Sequence, residues 1–73
     1  MKTLFITIAY RNTKSEHSYV VGVFSNLSFA QLTADEECGN RGGGYDCQVY
    51  EIETNKRIEY SKSEAKYEVK GRN

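Results

Sequence analysis

Residues 3–10, TLFITIAY, place Leu4, Ile6, Ile8 and Tyr10 at alternate positions, with Phe5, Thr7 and Ala9 between them. A period of two is that of a β-strand, and the β-branched residues reinforce it. The polar run RNTKSEH follows, and SYVVGVF (18–24) reads as a second strand. So short a connection implies antiparallel pairing. In SNLSFAQLTADEECGN (25–40) the period changes, and Leu27, Ala30, Ala34 and Cys38 fall on one face of a helix. Ser25 or Asn26 suits the N-cap, with Ser28 and Gln31 as an alternative capping box. Gly39 or Asn40 would supply the left-handed residue that ends the helix. YDCQVYEIE (45–53) reads as a third strand, TNK as a tight turn, and RIEYS (57–61) as a fourth strand. The mostly charged residues 62–73 suit a short helix, a strand, or a tail that frays or orders on a partner.

The order β-β-α-β-β predicts an α+β fold of two layers: an antiparallel sheet of about four strands with one helix packed on a face. At 73 residues the chain has room for a single domain, 1–73. A domain of this size buries only about 60% of the surface of its unfolded chain.

One helix covers only one face of a sheet. With Leu4, Ile6, Ile8, Val21, Val23, Cys47 and Val49 assigned to the helix side, Phe5, Val20, Phe24, Tyr50 and Ile52 fall on the other. A face left in water should read polar, and this one does not. On the helix, Phe29 and Leu32 lie roughly opposite the alanine stripe. Either the C-terminal segment, with Tyr60, Tyr67 and Val69, folds back over this surface, or the surface meets a second copy or another protein. Tyrosine-rich apolar surfaces are what binding hot spots are made from. Phe5, Phe24, Phe29, Leu32, Tyr50 and Ile52 are therefore candidate partner-binding residues.

Charge refines the picture. The formal net charge is zero but segregated. Residues 1–34 carry Lys2, Arg11 and Lys14 against Glu16, a net of +2. Residues 35–53 carry Asp35, Glu36, Glu37, Asp46, Glu51 and Glu53 against Arg41, a net of −5. The remainder is net +3. Phosphate neutralisation requires a basic excess, so the balance speaks against nucleic acid as the main partner. Asp35, Glu36 and Glu37 form a candidate acidic patch for a basic partner. No apolar run spans a bilayer. The N-terminus lacks the apolar core and cleavage site of a secretory signal, so a cytoplasmic location with reduced thiols is expected. The sequon Asn26-Leu27-Ser28 has no meaning there.

The segment ECGNRGGGYDC (37–47) invites three chemical readings. A phosphate loop places its glycines between a strand and the N-terminus of a helix; here they follow a helix. Zinc needs four ligands in paired spacing, whereas Cys38 and Cys47 stand apart from the sole histidine, His17. A Cys–His nucleophile needs a perturbed thiolate and an orienting third group, and no residue is nominated. No catalytic residue, metal or cofactor is expected. Cys38 and Cys47 read as small core residues, and Arg41 and Tyr45 as loop residues placed to touch a partner.

The segments from 15 to 55 resemble small bacteriophage accessory proteins, of the host-takeover or anti-defence kind. GVFS at a strand end leads into a helix with paired alanines, Ala30 and Ala34, and a glycine-rich loop feeds YDCQVYEIETN. The resemblance covers roughly half the chain, its motifs are structural, and it carries over no functional residue. It implies a phage protein that acts on its host by binding. The expected function is thus a non-enzymatic protein-binding module that inhibits or modulates a host protein by contact, with a homodimer among the assemblies to test. The alternative is a single-stranded nucleic-acid binder using sheet tyrosines and the basic tail.

Overall fold

The computed structural model describes residues 2–11, 18–59 and 64–71. His17, Tyr60 and Ser61 lie outside the described residues. Strands β1 (Thr3–Arg11), β2 (Tyr19–Phe24), β3 (Tyr45–Glu53) and β4 (Tyr67–Val69) form one sheet in the order β2-β1-β3-β4. All three pairings are antiparallel. Helix α1 (Leu27–Asn40) packs across one face, so the fold is α+β in two layers.

Asn26 caps α1. Its backbone is extended, and its side chain accepts from the amides of Ser28 (2.7 Å) and Phe29 (3.4 Å), satisfying donors that a helix start leaves unpaired. The stripe read from the sequence is the buried one: Ala30, Ala34 and Cys38 are buried, and Leu27 packs beside them. The helix ends later than its glycine suggested. Gly39 and Asn40 are helical, and the amide of Arg41 still donates to the carbonyl of Glu37 (3.1 Å). The left-handed positions are Gly42 (φ 64°) and Gly43 (φ 87°), where the missing Cβ makes that backbone cheap.

Under the alanines lie Thr7, Ala9, Cys47 and Val49, each fully buried. The Thr7 hydroxyl donates to the carbonyl of Ala30 at 3.1 Å. Small side chains on both layers permit this approach. The contact also sets the phase of β1, and it is the reverse of that expected. Phe5, Thr7 and Ala9 face the helix, while Leu4, Ile6 and Ile8 share the other face with their register partners Ile52, Tyr50 and Gln48. Phe5 pairs with Phe24, and both pack against the helix-side core; neither belongs to the open face assigned to it above. Every position of TLFITIAY except its threonines is apolar, so alternation alone could not choose between the two phases.

On β2 the register shifts between Thr7, opposite Gly22, and Ile8, opposite Val20. Val21 is the extra residue of a β-bulge. Tyr19, Val21 and Phe24 consequently pack on the helix side, and Val20 and Val23 turn outward, contrary to the inward placement of Val23. The Phe24 ring lies over Gly22, where a Cβ would stand 2.7 Å from Cζ.

The described part of the expected fourth strand, residues 57–59, is not a strand. After a turn through Asn55 (φ 61°), Lys56–Glu59 line a shallow groove with Glu51–Glu53. The strand forms instead within the expected tail, where Tyr67 and Val69 pair with Val49 and Cys47 and pack on the helix side. Tyr67 and Val69 are partly buried against the helix-side core, while Glu68 points away. The amide of Lys66 donates to the carbonyl of Val49 at 2.7 Å, and the amide of Gly71 to Asp46 Oδ1 at 2.7 Å. Gly71 presses on the glycine loop so closely that a Cβ would lie 2.3 Å from the carbonyl oxygen of Gly43 and 2.5 Å from that of Tyr45.

Gly71→Ala should therefore unseat this segment, at a cost of about 1–3 kcal/mol. The expected result is a lower thermal midpoint with lost amide protection over Lys66–Val69 and retained protection in α1. An unchanged midpoint and exchange pattern would mean that the segment is not held by the loop.

Candidate protein-binding surfaces

The sheet face away from α1 is built by Leu4, Ile6, Ile8 and Tyr10 on β1, Val20 and Val23 on β2, and Tyr50 and Ile52 on β3. Ile8 is buried at its centre, whereas Val20 and Val23 are 56% and 52% exposed. Of the residues proposed from sequence for this face, Tyr50 and Ile52 are here and Phe5 and Phe24 are not. Leu4, Ile6 and Val23 replace them as a consequence of the inverted phase. Polar groups gather at one margin. The Tyr50 hydroxyl donates to Gln48 Oε1 (2.6 Å), the Gln48 amide donates to Glu68, and Lys70 stands 3.7 Å from that carboxylate. Of the C-terminal residues expected to cover this face, Tyr67 and Val69 lie on the other side of the sheet, and Tyr60 lies outside the described residues.

On the outer side of α1, Phe29 and Leu32 are 62% and 53% exposed. Three residues apart, they form one small ridge on the helix. It is separated from the open sheet face by the thickness of the domain.

The loop end carries a cluster that joins helix to sheet. Arg41 lies over both Tyr19 (5.3 Å to the ring centroid) and Tyr45 (5.5 Å), and the two rings meet edge to face at 5.7 Å. Arg41 Nε donates to Glu37 Oε2 (3.1 Å) and to the Tyr19 hydroxyl (2.9 Å), and Tyr19 in turn donates to Glu37. Arg41 and Tyr45, expected as partner contacts, are thus engaged with each other. Tyr19 was missed, although it lies in phase with inward Val21 in the plain period-two reading.

The acidic run is similarly divided. Asp35 accepts from the Tyr67 hydroxyl (2.6 Å), Glu37 belongs to the Arg41 cluster, and Asp46 holds the amide of Gly71. Glu36 is exposed. The Tyr19 hydrogen bond, with help from Arg41, holds the Glu37 carboxyl below its ordinary value of 4.5. Burial, followed by the hydrogen bond to Glu37, raises the Tyr19 phenol.

Both cysteines are free and buried. Cys38 Sγ lies 3.2 Å from the carbonyl oxygen of Tyr45 as a donor. Burial is the main cause raising both thiols, Cys47 to about 11, with nearby carboxylates adding to it. A thiol so raised is a poor nucleophile at neutral pH. Among the described residues, no cluster of His, Cys, Asp and Glu could hold a metal, and no helix is long and apolar enough to cross a membrane.

A carboxyl lowered by folding contributes stability that is present above its unfolded value and lost as pH falls through the folded one. The stability advantage of the native chain over Glu37→Gln should therefore be full at neutral pH and shrink below about pH 4.5. Thermal midpoints of both proteins across this range measure it; a gap that is constant with pH would show that the Glu37 charge contributes nothing. The thiols make a second expectation. Ellman's reagent should react with neither cysteine of the native protein at neutral pH, and with both once it is denatured. Rapid reaction in the native state would refute their placement.

Compared with known family models, curated proteins and solved structures, the chain matches none.

Proposed function

We propose that the protein is a non-enzymatic binding module that holds another protein through its open sheet face. The observation that supports this reading is the apolar surface of Leu4, Ile6, Val20, Val23, Tyr50 and Ile52, set around buried Ile8. The solvated face of an antiparallel sheet alternates to polar residues, and large apolar patches on monomers are rare unless something binds there. The Glu68 carboxylate at its margin is already met by Lys70 at 3.7 Å and by the Gln48 amide. The partner that fits presents an apolar patch. The resemblance to bacteriophage accessory proteins suggests that this partner is a host protein, inhibited or modulated by being covered.

The nucleic-acid alternative finds less support. Tyr19, Tyr45 and Tyr67 pack toward the helix, which leaves Tyr10 and Tyr50 of the described tyrosines on the open face. Stacking of successive bases needs more exposed rings, set in a basic groove.

The double variant Tyr50→Ala/Ile52→Lys tests the reading. Tagged native protein should retain one stoichiometric protein from a nuclease-treated bacterial lysate, and the folded variant should lose it. Retention by the variant would remove the open face from consideration. Recovery of nucleic acid, abolished by nuclease and by moderate salt, would favour the alternative.

A further inference from the structure

The two edges of the sheet are built differently. β4 is three residues long, carries Glu68, and is flanked by Lys66 and Lys70. Short, charged edges are the usual protection against pairing with another chain. β2 runs for six residues, YVVGVF, without a charge or a proline. Among the described residues no strand pairs with its far side, so it presents a row of backbone donors and acceptors. What fits such an edge is another strand.

The bulge determines which strand. A regular six-residue strand would alternate strictly, and folding it back on itself about its midpoint would set inward residues against outward ones. Here Val21 is the extra residue, so the order along β2 is inward for Tyr19, outward for Val20, inward for Val21 and Gly22, outward for Val23 and inward for Phe24. That order reads the same in both directions. Antiparallel self-pairing about an axis between Val21 and Gly22 therefore matches faces at every position. Tyr19 meets Phe24 of the second copy on the helix side, and Val20 meets Val23 on the open side. Val20 and Val23 are the most exposed large apolar residues of the sheet, and each becomes the other's cross-strand neighbour. The strand is neutral, so the pairing sets no like charges opposite each other.

We propose that β2 is the seam of a homodimer, joined antiparallel to β2 of a second copy in this register. The product is one continuous sheet with four strands from each copy. Its outer edges are the two charged β4 strands, so the assembly closes at two rather than growing. The apolar face proposed above as a binding surface becomes continuous across the seam; Val20 and Val23 belong to both, whereas Tyr50 and Ile52 stand on β3, away from the seam.

Sedimentation of the native protein from about 1 µM to about 1 mM, spanning the range of ordinary self-association, should show a monomer–dimer equilibrium. Val20→Lys/Val23→Lys sets lysines opposite each other at both symmetry-related sites and should weaken the dimer by about a hundredfold or more. Val20→Lys/Val23→Glu sets opposite charges there and should restore it. A native protein that stays monomeric, a dimer indifferent to the paired lysines, or a failure of the mixed pair to restore association would each overturn the proposal. Hydrogen exchange of the native chain gives a check that needs no variant. Amides within Tyr19–Phe24 should gain protection as the dimer forms, and a dimer that leaves them unprotected would place the seam elsewhere.

Discussion

The close approach of α1 to the sheet governs the rest of the architecture. Ala30 and Ala34 put almost no side chain between the helix and the strands, and Thr7, Ala9 and Cys47 answer with side chains nearly as small. The Thr7 hydroxyl, fully buried, takes the carbonyl of Ala30 as its acceptor and so fixes where along the sheet the helix sits. Little room remains directly beneath the helix. The larger groups on this side, Phe5, Tyr19, Phe24, Tyr45 and Tyr67, stand around the contact as partly buried residues. The branched aliphatics of β1, Leu4, Ile6 and Ile8, occupy the opposite face. An apolar open face is thus a consequence of a core made from alanine, threonine and cysteine. Burial stabilises in proportion to apolar area, and so thin a core leaves a large share of that area outside it.

The same contact separates what the sequence made legible from what it did not. The helix, its cap and its Leu27–Ala30–Ala34–Cys38 stripe follow from local spacing, and the inward placement of Cys47 and Val49 follows from alternation. The phase of β1 does not, because apolar residues fill both of its faces. Deciding it requires knowing that Thr7 finds an acceptor on the helix. The misplacement of Phe5 and Phe24 descends directly from that inversion. Val23 was misplaced for another reason, since a bulge leaves no trace in a neutral run such as YVVGVF. The strand at Tyr67–Val69 was hidden in the sequence because its two apolar residues alternate with Lys66, Glu68 and Lys70 in a run that reads as a charged tail. Of the candidate residues, Tyr50 and Ile52 lie half-buried on the sheet face away from the helix, Phe29 and Leu32 are exposed on α1, and Arg41, Tyr45, Asp35 and Glu37 are held in contacts within the domain.

Those internal bonds also explain an electrostatic oddity. Asp35, Glu36 and Glu37 lie near the C-terminal end of α1, where the helix dipole disfavours negative charge. Donors converge on two of them: Tyr67 on Asp35, and Tyr19 with Arg41 on Glu37. Exposed ion pairs contribute little, and Arg41 is half exposed. Its flanking rings add cation–π contact, and its attachment to Tyr19 and Tyr45 ties the last helical turn to β2 and β3 together. The three glycines that follow serve the same end of the molecule. Gly42 and Gly43 reverse the chain, and the carbonyls of Gly43 and Tyr45 form the surface against which Gly71 rests. The loop that suggested a phosphate cradle is occupied by the protein's own C-terminal segment.

This occupancy bears on where function can reside. The helix side of the sheet and the loop end are consumed by intramolecular contacts, so a partner binding there would have to displace Tyr67, Gly71 or Arg41 from groups they already hold. The open face exposes Val20 and Val23, and among the described residues no strand pairs with the far side of β2, so the two surfaces meet along these valines. A bulge ordinarily turns an edge away from strangers. In β2 it also gives the strand a facial order that is its own mirror along the chain, which discriminates between occupants. A foreign strand of ordinary alternation can match the faces of β2 throughout only by leaving a bulge residue unopposed, as β1 does with Val21, whereas a second copy matches residue for residue. The irregularity that hid the orientation of Val23 from the sequence pattern is therefore the feature that makes this edge selective.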